Sequence, residues 1–271
     1  MLTYRTDGSG APLVLLNGGL MTINSWDGFI ALLGDRFRLI RCDFRGQLLS
    51  PGPFPTTWEE HARDVVDVLD ACGVSRAHVL GTSFGGEVAL LLAAIAPERV
   101  STVTAMNCTE KTTDEMRAHA RQLREVAQSA ADGADGGDVL RSMAPGTYSE
   151  AWLRRQAPDF IERRAQFVAT LPRPFFAGAA AILELVENLD LTAALGSITA
   201  PTLVIAADND ATFPAEHSRA IANAIPGARL EVIADSGHAT IIEQAQRAAE
   251  VFLDFVAEDG EAPMSRRHQR Q

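Results

Sequence analysis

The stretch VLGTSFGG, at residues 79–86, restricts the possible folds of this chain more than any other part of the sequence. It starts as a short apolar run, which is typical of a buried strand, and the strong helix formers that follow it end at Pro97. The G-x-S-x-G pattern between strand and helix predicts a tight turn that holds Ser83 in a sparsely populated conformation. Gly81 and Gly85 leave room for the strand and the helix to approach closely.

The same turn predicts reactivity at Ser83. The N–H groups that follow Ser83 open a helix, and unpaired donors at a helix N-terminus favour a developing negative charge. A glycine-rich turn with an incidental serine is the alternative interpretation, and the strand and helix on either side disfavour it.

Strand and helix patterns alternate on both sides of this turn. Thr57 followed by Glu60 predicts a capping box at the start of one of the helices. Such an alternation predicts a mostly parallel central sheet flanked by helices, with reactive groups at the carboxyl ends of the strands. The predicted strands are residues 2–5, 12–16, 37–42, 78–80, 100–106, 202–207 and 229–233, and the predicted helices include residues 26–33, 87–96, 214–225 and 239–256.

The alternation stops between residues 109 and 195, where the pattern is mainly helical and residues 129–138 (SAADGADGGD) predict a flexible connection. We interpret residues 109–195 as a helical cap inserted into a core of residues 1–108 and 196–258. A plain helical extension without a role in binding is the alternative, and the return of the strand–helix pattern favours the cap. Residues 259–271 are polar and predict a disordered tail.

Composition excludes several classes of function for this chain of 271 residues. Its net charge of −11 argues against nucleic acid and against an anionic membrane surface as the main partner. Cys42, Cys72 and Cys108 have no metal-like spacing and predict free thiols in a reducing compartment. The N-terminus has no signal-peptide pattern, and the longest apolar run, residues 88–96, is too short to span a bilayer. We therefore expect a cytoplasmic protein with a small-molecule partner; the sequence does not predict its oligomeric state.

A serine hydroxyl becomes a strong nucleophile when a base takes its proton, and a carboxylate orients that base. His238 is the predicted base, because it follows a strand and a Ser236-Gly237 pair that we expect to be flexible. Asp208 and Asp210 both follow the predicted strand at residues 202–207. Position alone leaves both aspartates as candidates for the carboxylate.

Three stretches of the sequence resemble a known family: LGTSFGG, APTLVIAADNDATFP and ADSGHATIIE. Together they resemble α/β-hydrolase-fold serine hydrolases of the carboxylesterase and 3-oxoadipate enol-lactonase type, over residues 13–108 and 201–256. The chain order Ser83, Asp210, His238 matches that family, and the family's spacing, with the aspartate four residues before Pro214, favours Asp210 over Asp208.

The resemblance also implies an oxyanion hole. The family often carries His-Gly after its first central strand, where this chain has Asn17-Gly18-Gly19. Carried over position by position, the N–H groups of Gly19 and Phe84 form the hole, and Asn17 removes no backbone donor.

The activity that the resemblance implies is hydrolysis of a carboxylic ester or lactone, without a metal or organic cofactor. Two alternatives remain. The NGGLMT and DFRGQ stretches are also similar to acyltransferases that join hydroxyacyl chains, and a non-catalytic ligand receptor could retain the fold. Arg45 is predicted to have a structural role, whereas Trp26 and Phe84 are candidates for an acyl pocket, with core packing favoured for Trp26.

Overall fold

The computed structural model describes residues 1–50, 52 and 56–259. The tail predicted for residues 259–271 lies outside these residues except for Asp259, which ends the last helix.

The described residues contain a seven-stranded sheet in the order β1-β3-β2-β4-β5-β6-β7. Only β1, at one edge, is antiparallel to its neighbour. The sheet and its flanking helices confirm the predicted fold class. The strands are β1 Tyr4–Asp7, β2 Ala11–Leu16, β3 Phe37–Cys42, β4 Ala77–Thr82, β5 Val100–Met106, β6 Thr202–Ala207 and β7 Arg229–Ile233.

Helices follow the strands along the chain, and six of those in the described residues lie between β5 and β6. We call residues 109–195 the cap segment. The helices are α1 Asp27–Ile30, α2 Trp58–Ala71, α3 Phe84–Ile95, α4 Asp114–Asp132, α5 Gly137–Thr147, α6 Glu150–Leu153, α7 Phe160–Ala169, α8 Arg173–Glu187, α9 Thr192–Leu195, α10 Ala215–Ala224, α11 Thr240–Glu243 and α12 Ala245–Asp259.

Three helix predictions need correction. The connection predicted at residues 129–138 is shorter than expected, because α4 continues to Asp132, where a left-handed Gly133 (φ 116°) ends it, and α5 begins at Gly137. The helix predicted at residues 26–33 is a single α-helical turn flanked by tighter turns. The last predicted helix is interrupted at Gln244, which separates α11 from α12.

The sheet is covered on both faces, and β2 shows how. Leu13, Val14, Leu15 and Leu16 are all fully buried. Leu13 and Leu15 pack in one apolar cluster with α12, whereas Val14 and Leu16 pack in another with α2 and α3. Successive strand residues point to opposite faces, so a strand covered by helices on both sides must be continuously apolar.

The cap segment packs closely against the core through α8. A Cβ atom added to Gly178 would lie 1.9 Å from the carbonyl oxygen of Gly46, so this helix position requires glycine. The Trp58 indole N–H on α2 also donates a hydrogen bond to the carbonyl of Leu185 at 3.3 Å. Gly46 follows β3, so α8 packs near the carboxyl end of that strand.

Within the described residues, no single helix is both long enough and apolar enough to cross a membrane. Helices α7 and α8 satisfy those two criteria only as a pair, with a bend of 108° between them.

Candidate active site

Ser83 occupies the predicted turn between β4 and α3. Its φ and ψ angles are 52° and −128°, a strained conformation that costs on the order of 1–3 kcal/mol. The turn closes tightly around two glycines. A Cβ added to Gly81 would lie 2.0 Å from the carbonyl oxygen of Gly85, and a Cβ added to Gly85 would lie 2.2 Å from the carbonyl oxygen of Leu16. Any side chain at either position would therefore push strand and helix apart.

His238 and Asp210 form a hydrogen-bonded pair. The imidazole Nδ1 lies 2.8 Å from Oδ2 of Asp210, whose side chain is 1% exposed. The other carboxylate oxygen, Oδ1, accepts hydrogen bonds from the main-chain N–H groups of Thr212 and Phe213 at 2.9 and 2.8 Å. A carboxylate in contact with Nδ1 makes that nitrogen the donor and leaves the lone pair of the neutral ring on Nε2.

Asp208, the competing candidate, makes its hydrogen bonds to other groups than His238. Its Oδ1 accepts hydrogen bonds from the main-chain N–H of Ser236 and from the side chain of Asn209, and it closes a turn beside β7. The structure thus brings Asp210, and not Asp208, to the imidazole.

The charges around His238 determine the pKa of its imidazole. Burial lowers the pKa, but the Asp210 carboxylate raises it by its charge and its hydrogen bond, and Glu87 and Glu243 add to that increase. The net effect is a pKa above the ordinary value of 6.5.

Ser83 and His238 both line two neighbouring cavities, of about 770 Å³ and 640 Å³. No hydrogen bond joins the two side chains in the part of the chain that the structure describes, and catalytic hydrogen bonds often shorten only when substrate binds. The cavities meet at a shared set of residues: Gly19, Leu20, Ser83, Met143, Thr147 and His238.

Gly19 and Phe84 lie beside each other at this junction. A Cβ added to Gly19 would lie 4.0 Å from the Cβ of Phe84, and both residues line the smaller cavity. Among the described residues, neither main-chain N–H group has a hydrogen-bond acceptor. Two unpaired donors therefore lie next to the serine.

Sequence reasoning missed the polar network that holds the Gly18-Gly19 loop. The fully buried Asn17 amide donates hydrogen bonds to Asp43 Oδ1 at 3.1 Å and to Gln47 Oε1 at 2.9 Å. The Asn17 side-chain oxygen accepts a hydrogen bond from the Trp26 indole N–H at 2.8 Å. The residue in the place of the family's histidine is thus a buried structural link.

Gln47 continues this network to the loop itself. Its Nε2 donates a hydrogen bond to the Gly18 carbonyl at 2.7 Å. That carbonyl and the Gly19 N–H belong to one trans peptide and point in opposite directions. By holding the oxygen, Gln47 directs the Gly19 N–H away from itself. In the sequence, Gln47 is only a glutamine of the DFRGQ loop, and nothing there predicts its burial.

Arg45 and Trp26 have structural roles. Arg45 forms two hydrogen bonds with the buried Asp64 carboxylate, at 2.6 and 2.7 Å, and lines neither cavity. Trp26 is fully buried in the core and also lines neither cavity. Phe84 does line the smaller cavity.

The loop that carries His238 is tightly held, which corrects the predicted flexibility of Ser236-Gly237. Ser236 is fully buried, and a Cβ added to Gly237 would lie 2.5 Å from the Ser149 nitrogen. From the end of β5, the Asn107 amide donates a hydrogen bond to the His238 carbonyl at 2.6 Å. Glycine at position 237 permits close approach to the cap segment and does not serve as a hinge.

Comparison with known proteins supports this description of the fold. A protein named carbamate hydrolase RutD from Azorhizobium caulinodans is 30% identical over 261 residues and covers 95% of both chains. The 3-oxoadipate enol-lactonase 1 of Acinetobacter baylyi is 28% identical over 91% of this chain and 89% of its own length. The crystal structure of the enol-lactonase from Burkholderia xenovorans LB400 superposes with a TM-score of 0.82 at 26% identity, covering 94% of this chain and 96% of that one.

The family comparison agrees with the relatives and with the architecture. Residues 11–245 match the family described as alpha/beta hydrolase fold, a range that runs from β2 to the start of α12. The relatives named above carry hydrolase names and span nearly the whole chain. The chain belongs to the alpha/beta hydrolase family.

Proposed function

We propose that this protein is a serine hydrolase that cleaves a carboxylic ester or lactone through an acyl-enzyme intermediate. The observation that carries the proposal is the placement of a strained Ser83 and an Asp210-paired His238 on the same two cavities. A serine that lines the same cavities as a carboxylate-oriented imidazole is the arrangement that nucleophilic catalysis by serine uses.

In the first half of the reaction, Nε2 of His238 takes the proton of the Ser83 hydroxyl while Oγ attacks the substrate carbonyl carbon. The carbonyl π bond opens onto oxygen, and a tetrahedral oxyanion forms. Asp210 accepts a hydrogen bond from Nδ1–H and stabilises the imidazolium. The unpaired N–H groups of Gly19 and Phe84 donate hydrogen bonds to the oxyanion.

The intermediate then collapses. The bond from carbon to the leaving oxygen breaks, and His238 gives its proton to that oxygen, which releases the alcohol. A water molecule repeats the attack on the acyl-serine ester, with His238 again accepting and returning one proton. The products are the carboxylic acid and free Ser83. In a lactone both products remain one molecule, a hydroxy acid.

The two cavities support a substrate with a sizeable group on each side of the scissile bond. Aliphatic and aromatic side chains dominate both linings, which favours apolar acyl and alcohol parts over highly charged ones. Representative residues are Val139, Leu140, Phe160 and Phe175 in the larger cavity and Met116, Leu123, Ile182 and Phe213 in the smaller.

A carbamate is the second candidate substrate. It is favoured by the carbamate hydrolase names of relatives that are 30% and 31% identical to this chain. A carbamate carbonyl is also attacked by an activated serine, so the same residues would serve both reactions.

A panel of p-nitrophenyl esters of increasing chain length, lactones of several ring sizes and a phenyl carbamate tests the proposal. We expect turnover of at least one ester or lactone by the wild type and none by Ser83→Ala. Turnover that survives Ser83→Ala would contradict the proposal, as would a folded wild type that turns over none of the panel.

Two arms of the same experiment test the other predicted activities. With a hydroxyacyl thioester, a hydrolase releases free acid, whereas an acyltransferase forms a dimeric ester. A ligand receptor would bind members of the panel without turning them over.

A further inference from the structure

The buried Glu243 carboxylate, at the end of α11, joins the cap segment to the loop of His238. Its Oε1 accepts a hydrogen bond from the Ser149 N–H at 3.0 Å. Its Oε2 accepts one from the Ser149 hydroxyl at 2.6 Å and another from the Gly237 N–H at 3.0 Å. Three donors converge on one carboxylate, and one of them belongs to the residue just before His238.

A second hydrogen bond joins the other side of His238 to the same part of the cap segment. The Ala239 N–H donates to the Thr147 carbonyl at 2.9 Å. Thr147 and Ser149 lie at the junction of α5 and α6. Both neighbours of His238 in the chain are therefore linked to a three-residue stretch of the cap segment.

From these contacts we infer that Glu243 and Ser149 are positioning residues, which place His238 for catalysis by docking the cap segment onto the base loop. The inference rests on the proposed function, because it takes His238 as the base. The core holds this loop through Asn107, at the His238 carbonyl, and through Asp208 and Asn209, at Ser236. A displacement of about 1 Å at a reacting group can cost roughly 10²-fold in rate. Loss of the link to the cap segment, if it shifts His238 by that much, would therefore lower the rate measurably.

A purely structural role is the competing explanation. Ser149 also caps α6, since its hydroxyl accepts a hydrogen bond from the Trp152 N–H at 3.2 Å. Loss of a cap lowers stability, but it changes neither kcat nor the pH profile when the cap lies far from the reacting atoms. Kinetic readouts therefore separate positioning from stability.

Glu243→Gln and Ser149→Ala disturb the link in different ways. Glutamine keeps the size of the side chain but has one acceptor oxygen, so at least one of the three N–H or O–H donors faces the amide NH₂. Ser149→Ala removes the hydroxyl's hydrogen bond to Glu243 and the cap of α6, and it leaves the charge of Glu243. Thr57→Ala is the matched control, because Thr57 caps α2 in the same way and does not contact the base loop.

The decisive experiment measures kcat, KM and the pH profile of ester hydrolysis for these three variants. We expect Glu243→Gln to lower kcat roughly tenfold or more with KM nearly unchanged. We expect a smaller loss of kcat for Ser149→Ala and none for Thr57→Ala. The Glu243→Gln/Ser149→Ala double variant should lose less than the product of the two single losses, because both act on one link.

The pH profile adds a second readout. The carboxylates that raise the pKa of His238 are Asp210, Glu87 and Glu243, from three different elements. Removing one negative charge in Glu243→Gln should move the acid limb of kcat/KM to lower pH, whereas Ser149→Ala should leave the limb in place.

Wild-type kcat and an unshifted acid limb in a folded Glu243→Gln variant would overturn the inference. So would an equal loss of kcat in Thr57→Ala and Ser149→Ala. If Glu243→Gln does not fold, Ser149→Ala decides alone. Activity that survives Ser83→Ala would instead overturn the proposed function, and the two failures are thus distinguishable.

Discussion

The two sides of the site are held by different parts of the molecule. The Gly18-Gly19 loop, on the side of the proposed oxyanion hole, depends on Asn17, Asp43 and Gln47, all of which follow strands of the core. The loop of His238, the proposed base, is held by the core through Asn107 and Asp208 and by the cap segment through Ser149. The hydrogen bonds on the first side therefore all lie within the core, whereas those on the second side also come from the cap segment.

This difference has a consequence for catalysis. A buried, fully bonded network in the core changes little when a substrate enters, so we expect the oxyanion side to be preformed. Both cavities are lined partly by cap residues, and a substrate that shifts the cap also shifts the contacts of His238. The predictions below test whether the two sides respond separately.

The largest effect is expected on the base side, from Asp210→Asn. The amide can stabilise the wrong imidazole tautomer and cannot stabilise the imidazolium, so kcat should fall about 10⁴-fold. Steady-state kinetics with a p-nitrophenyl ester measure the loss, with circular dichroism as the check on folding. A fall of less than about tenfold would contradict the role of Asp210.

A smaller effect is expected on the oxyanion side, from Gln47→Met. The substitution releases the Gly18 carbonyl but keeps the N–H groups of Gly19 and Phe84, the proposed oxyanion donors. The fall in kcat should therefore be smaller than the roughly 10²–10³-fold that follows loss of an oxyanion donor. Arg45→Met is the control in the same loop. It leaves the buried Asp64 without its partner, and should lower the free energy of unfolding with kcat unchanged. Equal losses of kcat in the two variants would contradict the role of Gln47.

Gly237→Ala tests how closely the cap must approach the base loop. The new Cβ would lie 2.5 Å from the Ser149 nitrogen, so the substitution should cost about 1–3 kcal/mol of unfolding free energy and also lower kcat. Gly28→Ala is the control, because an added Cβ meets nothing within 4 Å and alanine favours the helix. Thermal denaturation and kinetics of both variants measure the difference. If Gly237→Ala and Gly28→Ala had similar unfolding free energies and similar kcat values, close approach of the cap segment to Gly237 would not matter for stability or catalysis.

The smallest expected effect is a displacement of the acid limb. His238 must be neutral to accept a proton, and its pKa is raised above 6.5 by Asp210, Glu87 and Glu243 despite burial. Activity should therefore already fall as the pH drops toward 6.5, and the limb of kcat/KM should have its midpoint above that value. A midpoint below 6.5 would contradict the assignment of His238 as an Asp210-paired base.

Local patterns in the sequence predicted most of the fold. Four strands have the predicted bounds, including Thr202–Ala207, and the capping box at Thr57 is present. Such features depend on residues close together in the chain. The connection predicted at residues 129–138 was too long, because Ala130, Ala131 and Asp132 extend α4 up to Gly133.

The links that hold the site were not predictable in the same way. Asn17 and Gln47 are 30 residues apart, and Ser149 and Glu243 are 94 residues apart. Each is a buried polar residue whose partner is decided by tertiary folding, and nothing in local spacing reveals which distant group will face it. Ser83, Asp210 and His238 could be predicted because turn chemistry and the family's spacing point to them without the tertiary contacts.

Labelling with a fluorophosphonate, followed by peptide mass spectrometry, tests the central claim most directly. The reagent phosphonylates a serine whose proton a neighbouring base removes, and fluoride leaves. We predict one adduct on Ser83 in the wild type, a much slower reaction in Asp210→Asn and none on Ser83→Ala. A folded wild-type protein that carries no adduct on Ser83 would contradict the assignment of this serine as the nucleophile.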